Sequence, residues 1–212
     1  MASSPARRRP PGVKQDEPED LTRSLARAAQ QDTSRFEVLC ERVAPALVAW
    51  AELKVGAKLR GSIEPMDVVQ ETWCRAWRSF STYDPDTVSF RAWTFRIAKN
   101  VVLECARRGR RDAAADAGTT ARHEVVHAAP DRATALSRRL ARDESVSALL
   151  EWARTLGEDE HALFVHVGLE GLSYSEAGAR LGLQKDTVAK RWQVLRERAA
   201  RLPRFGEWLA EG

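Results

Sequence analysis

Residues 172–201 read LSYSEAGARLGLQKDTVAKRWQVLRERAAR, and this stretch decides what kind of module the C-terminal part of the chain contains. Ser173 stands three residues before Glu176, the spacing in which a hydroxyl cap and a carboxylate reciprocally satisfy free amide donors at a helix start. Tyr174, Ala177 and Leu181 then fall on one side of a short helix. Gly182 stops it, because a residue without a Cβ takes the left-handed conformation that a tight exit requires. A second helix follows, with Val188, Trp192 and Leu195 on its inner stripe and Lys185, Lys190, Arg191, Arg196 and Arg198 largely outside it. Gly178 leaves room where two steeply crossing helices bring their backbones together. A capped helix, a glycine turn and a second helix with a basic outer face describe a helix-turn-helix. A helical hairpin with a solvated basic face would carry the same charges. Cap, small residue and glycine turn together favour DNA binding.

The formal net charge of the 212 residues is only +4, so its distribution matters more than its sum. Seven basic residues lie between Ser89 and Arg111 against one acid, Glu104. Six lie between Gln184 and Arg201 against Asp186 and Glu197. Two basic stripes far apart in sequence suggest two contacts along one polyanion. Cys40, Cys74 and Cys105 are odd in number and widely spaced, which fits small buried side chains and neither a disulfide framework nor a zinc site. His123 and His127 have i, i+4 spacing but no third ligand nearby, so no metal is expected. The apolar run near Val43 to Ala51 is too short to span a bilayer, and Arg7 to Arg9 precede prolines and acids instead of an apolar segment. A cytoplasmic protein without membrane insertion is expected.

Outward from the helix-turn-helix, the N-terminal 31 residues read as a tail, disordered or partly helical; Met1 to about Asp20 has almost nothing to bury. Phe36, Leu39, Val43, Leu47 and Trp50 then follow one helix face, which Pro45 is expected to kink or divide. Glu64 to Phe80, EPMDVVQETWCRAWRSF, places Val69, Trp73, Ala76, Trp77 and Phe80 on a wide apolar stripe. Asp67, Gln70, Glu71, Arg75 and Arg78 take the other face, an acid-to-base gradient that also suits the helix dipole. Ser81 to Ser89 is a loop by composition. Ser89 caps a long helix whose inner stripe holds Phe90, Trp93, Ile97, Val101 and Cys105. Basic residues interleaved with aromatics are what an opened DNA strand requires; Trp93 reads better as core, while Phe95, exposed or half-exposed, stays open between the two roles. Gly109 to about Ala129 has the composition of a flexible linker. Leu136 to Leu156 and Asp159 to Leu169 supply further helices, and Phe205, Trp208 and Leu209 are placed to pack back as a tail.

MDVVQETWCRAWRSF (residues 66–80) followed by SFRAWTFRIAKNVVLECARR (residues 89–108) resembles the region 2 signature of extracytoplasmic-function sigma factors of bacterial RNA polymerase. GLSYSEAGARLGLQKDTVAKRWQVLRERAARL (residues 171–202) resembles their region 4. The D-x-V-Q-E-x-W pattern with S-F-R-A-W downstream is far more specific than a helix-turn-helix alone. The resemblance implies an all-α chain of two small helical domains joined by a flexible linker: region 2 at 32–111, linker at 112–131, region 4 at 132–212.

By position, the same resemblance implies that Asp67, Gln70, Glu71 and Arg75 meet the β′ clamp helices of core polymerase, with the β flap as a further partner. It implies −10 element contacts for Ser81, Thr82, Tyr83, Arg96, Lys99, Asn100 and Arg107. It implies −35 contacts in the major groove for Gln184, Lys185, Thr187, Lys190 and Arg191, and it suggests an anti-sigma factor as a partner. Three departures stand out: Glu104 replaces a frequent Asp, Gln184 replaces a Ser-like cap, and Trp192 replaces a common leucine. The implied function is an alternative sigma factor that binds core polymerase and directs promoter-specific initiation, helping to open the −10 region. A stand-alone helix-turn-helix regulator is the alternative, but it leaves residues 64–111 unexplained. The chain carries no Gly-rich nucleotide loop, carboxylate cluster or nucleophile–base pattern, so it reads as no enzyme and as needing no cofactor.

Overall fold

The computed structural model describes residues 18–32, 34–56, 63–114 and 131–209. Its regular elements are helical, as the sequence pattern requires. In order they are α1 (Pro18–Gln31), α2 (Ser34–Lys54), α3 (Pro65–Ser79) with a 3₁₀ turn at Phe80–Thr82, and α4 (Phe90–Ala114). After them come α5 (Asp131–Leu140), α6 (Glu144–Arg154) and α7 (Glu158–Leu163), which runs into a π-helical segment at Phe164–Leu169. The chain then makes α8 (Tyr174–Leu181), α9 (Lys185–Ala199) and α10 (Phe205–Trp208). The readings of Met1 to Glu17 and of His123 and His127 lie outside the described residues.

Helix α2 is the spine. Phe36, Leu39, Val43, Leu47 and Trp50 are all buried, and the helix packs against α1, α3 and α4 and also against α5, α6, the π segment and α10. It runs unbroken through Pro45, so the expectation that proline divides it is not met. Residues 43–51 are all buried around it, and that packing outweighs a propensity cost of about 3 kcal/mol. Helix α1 begins ahead of the expected start of the bundle, burying Ala26 and Ala29 and reaching the loop before α4, where Gln30 Nε2 donates to the Tyr83 carbonyl.

Pro65 opens α3 at its first helical position, where a missing N–H costs nothing. Its stripe is buried as read at Val69, Trp73, Ala76 and Phe80, but Trp77 is 38% exposed. The Trp77 ring lies over the Phe36 edge, centroids 5.1 Å apart, and so covers the bundle without entering it. Ser89 Oγ accepts from the Ala92 amide at 3.2 Å, capping α4 as expected. Phe36, Phe80, Tyr83, Phe90 and Trp93 form one aromatic cluster at the α3–α4 corner.

The helices after the linker position pack on one another and also against the first half. The amphipathic helix α5 lies on α2 and α3, with Trp73 Nε1 donating to Ser137 Oγ at 3.2 Å and Arg132 paired to Glu41 at 3.2 Å. Beyond it, α6 to α10 close around Leu149, Phe164, Val167, Trp192 and Leu195. Phe205 and Leu209 pack back as the sequence suggests, Phe205 meeting Trp152 edge-on at 5.9 Å. Buried side chains of both halves form a continuous cluster through α2.

The helix-turn-helix is built as its sequence specifies. Ser173 N donates to Glu176 Oε2 at 3.0 Å, and the Glu176 amide donates to Ser173 Oγ at 3.2 Å. Gly182 closes α8 in the left-handed region at φ 67°. The close approach at Gly178 is to the turn: a Cβ there would stand 2.5 Å from the Leu183 carbonyl oxygen, whereas at Gly182 it would meet nothing within 4 Å. The two glycines therefore do different work. Gly182→Ala is expected to cost about 1 kcal/mol of unfolding free energy, a backbone term only. Gly178→Ala should cost about 3 kcal/mol, because carbonyl backbone must shift. Urea denaturation of the two variants checks the order.

Candidate nucleic-acid interface

Helix α4 carries two stripes of differing exposure. Arg96, Asn100 and Arg107 point to solvent with Leu103, 52% exposed, among them; these residues recur at i, i+4, i+7 and i+11, one face of a helix. Three of the expected −10 contacts thus lie together on an open basic surface. Arg91, Phe95 and Lys99, at i, i+4 and i+8, form the other stripe and face the C-terminal helices. Phe95 is fully buried against Trp50, centroids 5.7 Å apart at a steep angle. It is core, which closes the question its sequence position left open.

Of the preceding loop, Ser81 and Thr82 are exposed, but Tyr83 is 3% exposed. Its ring stacks on Phe80, its hydroxyl donates to the Val88 carbonyl at 2.9 Å, and burial pushes its ionisation well above the ordinary tyrosine value. In this conformation Tyr83 holds the loop against the aromatic cluster.

The α3 residues expected to meet polymerase divide in the same way. Asp67 accepts from the Glu64 amide at 3.2 Å, closing the helix start, and Gln70 is half-buried. Glu71 is buried and accepts from Arg75 Nε at 2.7 Å. Arg75 in turn donates through both terminal nitrogens to Glu104 on α4, at 2.9 and 2.8 Å. That bidentate bond drives the Arg75 value up and the Glu104 value down. Sequence alone placed Glu71 and Arg75 on one polar face; the fold pairs them and brings in Glu104, whose substitution for a frequent Asp gains a structural use.

On α9, Gln184, Lys185, Lys190 and Arg191 are exposed and Thr187 is half-buried. Gln184 occupies the N-cap without a side-chain hydrogen bond to the helix start. Arg191 reaches Asp159 at 3.5 Å, and Arg198 pairs with Glu160. The five expected −35 residues therefore lie at the start and along the first two turns of one helix.

Sequence reasoning missed the residue that joins these parts, Glu170, which is 1% exposed. Its carboxylate accepts from Trp50 Nε1 at 3.0 Å and pairs with Lys99 at 2.6 Å, His166 at 3.0 Å and Arg180 at 3.4 Å. Burial by itself would raise its pKa; the His166, Lys99 and Trp50 hydrogen bonds outweigh that and bring it to about 2. Beside it, Arg91 donates to the carbonyls of Gly168 at 3.2 Å and Leu169 at 3.0 Å. Desolvation lowers Arg91 to about 10, leaving it charged at neutral pH. No sequence signal pointed to Glu170, a lone acid between helices.

Among the described residues no group of three or more His, Cys, Asp and Glu side chains is placed to hold a metal ion, and no helix is long and apolar enough to cross a membrane.

The Sigma-70 region 2 family profile matches residues 39–112, which contain the whole of α3 and nearly all of α4. The ECF RNA polymerase sigma factor SigE of Mycolicibacterium smegmatis is 34% identical over 129 residues, covering 59% of this chain and 46% of that protein. The RNA polymerase sigma factor CnrH of Cupriavidus metallidurans is 33% identical over 186 residues, covering 82% of this chain and 90% of that protein. The solved structure of CnrH in complex with the cytosolic domain of CnrY aligns over 85% of this chain and 96% of that one, at 26% identity and a TM-score of 0.42. The chain thus spans less than half of SigE but nearly all of CnrH. With the open basic faces of α4 and α9 and a match to a sigma factor over 82% of this chain, the chain belongs to the sigma-70 family as an ECF RNA polymerase sigma factor, an initiation factor and not an enzyme.

Proposed function

We propose that this chain binds core RNA polymerase in the cytoplasm and directs it to promoters by contacting DNA at two places. The observation that carries the reading is the pairing of two separate exposed basic surfaces, Arg96–Asn100–Arg107 on α4 and Lys185–Lys190–Arg191 on α9, within one sigma-type chain. Residues 32–111 form the polymerase- and −10-binding part, residues 132–212 the −35-binding part, and residues 112–131 the tether. Asp67 and Gln70 meet the β′ clamp helices, while Glu71 and Arg75 fix α3 against α4; the β flap supports the C-terminal part.

Physically, cations on both surfaces neutralise phosphates and give salt-dependent affinity. The start of α9 reads base edges in the major groove, each good bidentate pair contributing about 1–3 kcal/mol. Ser81, Thr82, Arg96, Asn100 and Arg107 offer phosphate and base partners to the opened strand, offsetting an unstacking cost of about a few kcal/mol. For Tyr83 and Lys99 to join them, Tyr83 must leave the aromatic cluster and Lys99 must leave Glu170. CnrH is a relative of known structure bound to the cytosolic domain of CnrY; by analogy, an anti-sigma factor restrains this chain.

The purified chain mixed with core polymerase should yield promoter-specific transcripts; absence of binding to core polymerase in a pull-down would overturn the reading. Gln70→Ala should weaken that binding roughly tenfold, a typical interface truncation, with the far-ultraviolet dichroism unchanged. A stand-alone regulator would not respond to it. On promoter duplex, Arg191→Ala should lose about 1–3 kcal/mol and relax preference at one base position. Lys185→Ala should weaken all sequences alike and lower the salt slope by about one. Band-shift titrations of the polymerase complex at several salt concentrations separate the two.

A further inference from the structure

The loop at residues 81–89, STYDPDTVS, has the wrong charge for a surface that receives DNA. It carries two acids, Asp84 and Asp86, and no basic residue. Tyr83 and Pro85 are buried on its inner side, while Ser81, Thr82, Asp84, Asp86 and Thr87 are exposed. Carboxylates beside a strand of phosphates repel it, so a loop of this composition needs a cation from elsewhere.

Helix α1 supplies one. Arg23, Arg27 and Gln30 recur at i, i+4 and i+7, one face of that helix. Arg27 Nη2 donates to Asp86 Oδ1, 59 positions away, and Gln30 Nε2 donates to the Tyr83 carbonyl at 2.5 Å. Arg23 is near enough to oppose the burial that raises the Tyr83 ionisation. Asp84 is lowered chiefly by hydrogen bonds from Thr87 and Asp86, and Arg27 adds to them. The opposite face of α1 is anchored: Ala26 and Ala29 are buried, and Thr22 Oγ1 accepts from Arg42 Nη1 of α2 at 3.1 Å.

The remaining bonds of the loop are local. Thr87 Oγ1 donates to Asp84 Oδ2 at 2.6 Å, the Asp86 amide to Asp84 Oδ1 at 2.9 Å, and the Tyr83 hydroxyl to the Val88 carbonyl at 2.9 Å. They shape the loop but do not aim its outer side. Arg27 and Asp86 are 56% and 63% exposed, and a pair that open adds little to the stability of a fold. What it does is cancel one of the two loop acids and fix the direction of the loop. The Sigma-70 region 2 profile begins at residue 39, so α1 lies outside the matched residues.

We propose that α1 is part of the −10 surface: Arg27 and Gln30 are positioning residues that hold loop 81–89 where Ser81 and Thr82 meet the opened strand, with Arg27 neutralising Asp86 against the phosphates. The inference rests on the sigma reading, which supplies that strand. Base preference at the positions read by the loop then depends on a helix that does not itself touch DNA. Gln30 bonds to the backbone of Tyr83 and so does not itself hold the ring.

The test reads base preference, using the full chain with core polymerase. A promoter recovered by transcribing sheared genomic DNA with that complex is randomised at its −10 and −35 positions, each template carrying a barcode in its transcribed part. Arg27→Ala and Gln30→Ala should each flatten the −10 preference by about three- to tenfold, with the −35 preference and the core-polymerase pull-down unchanged. In the free variants, deuterium exchange of residues 83–88 should quicken while that of α9 does not. The reversed pair, Arg27→Asp with Asp86→Arg, should recover most of the lost preference. Unchanged −10 preference in both single variants overturns the proposal, as does unchanged loop exchange. A uniform loss of transcription with every preference intact and a lower melting temperature also overturns it, since α1 would then only stabilise the bundle. So does a loss that the reversed pair fails to restore and that lowers the salt slope by about one, which would make Arg27 a phosphate contact. If the unsubstituted chain shows no promoter preference with core polymerase, the sigma reading falls and this inference with it; quickened loop exchange in the variants would still show the α1 contact intact.

Discussion

A buried carboxylate anchors this structure. Glu170 sits at 1% exposure, where an uncompensated charge would cost several kcal/mol, so its partners are obligatory. They come from four places: Trp50 on α2, Lys99 on α4, His166 in the π segment and Arg180 on α8. Satisfying one acid therefore fixes the spine helix, the long basic helix and the first helix of the DNA-binding motif relative to one another. Local backbone makes this possible. The Glu170 amide bonds to the Val165 carbonyl and the Leu172 amide to the His166 carbonyl, with Gly171 left-handed at φ 68°. This turn, one residue wider than a Schellman cap, ends the π segment and leaves the Gly168 and Leu169 carbonyls to accept from Arg91.

Space for the turn is as constrained as its charges. A Cβ at Gly168 would stand 2.7 Å from the end of the Trp192 ring, so the tryptophan that replaces a common leucine and the glycine beneath it depend on one another. Trp192 is 1% exposed and belongs to α9. Helix α9 and the Glu170 turn thus share a packing contact, and disturbance of one is transmitted to the other through a rigid interior.

Helix α4 is scaffold along two of its edges and open to solvent along a third. One edge is held to α3 by the Glu71–Arg75–Glu104 bridge, a second faces the Glu170 turn, and a third presents Arg96, Asn100, Leu103 and Arg107 to solvent. A period of 3.6 residues sorts side chains into stripes but does not say what covers each stripe. That is why Phe95 looked open and is core, why Trp77 looked core and is partly exposed, and why Tyr83, read as a loop residue, lies inside an aromatic cluster. Each depends on a neighbour distant in sequence. Phe95 meets Trp50, Trp77 meets Phe36, and Tyr83 meets Phe80 and Trp93.

The amino-acid sequence determined the helices with their caps, the left-handed Gly182, the helix-turn-helix, the basic character of α4 and α9, and the family through the pattern of Asp67 to Trp73 and its downstream partner. These are local properties, set by neighbours within about a turn or by the identity of a short motif. Tertiary structure alone decided that α5 belongs against α2 and α3, that Glu104 completes a bridge, and that Lys99 and Arg91 are held by the opposite half. Trp50 and Glu170 are 120 positions apart and Lys99 and Glu170 are 71. No periodicity spans such separations; only the burial of a charge in a shared core brings those residues together.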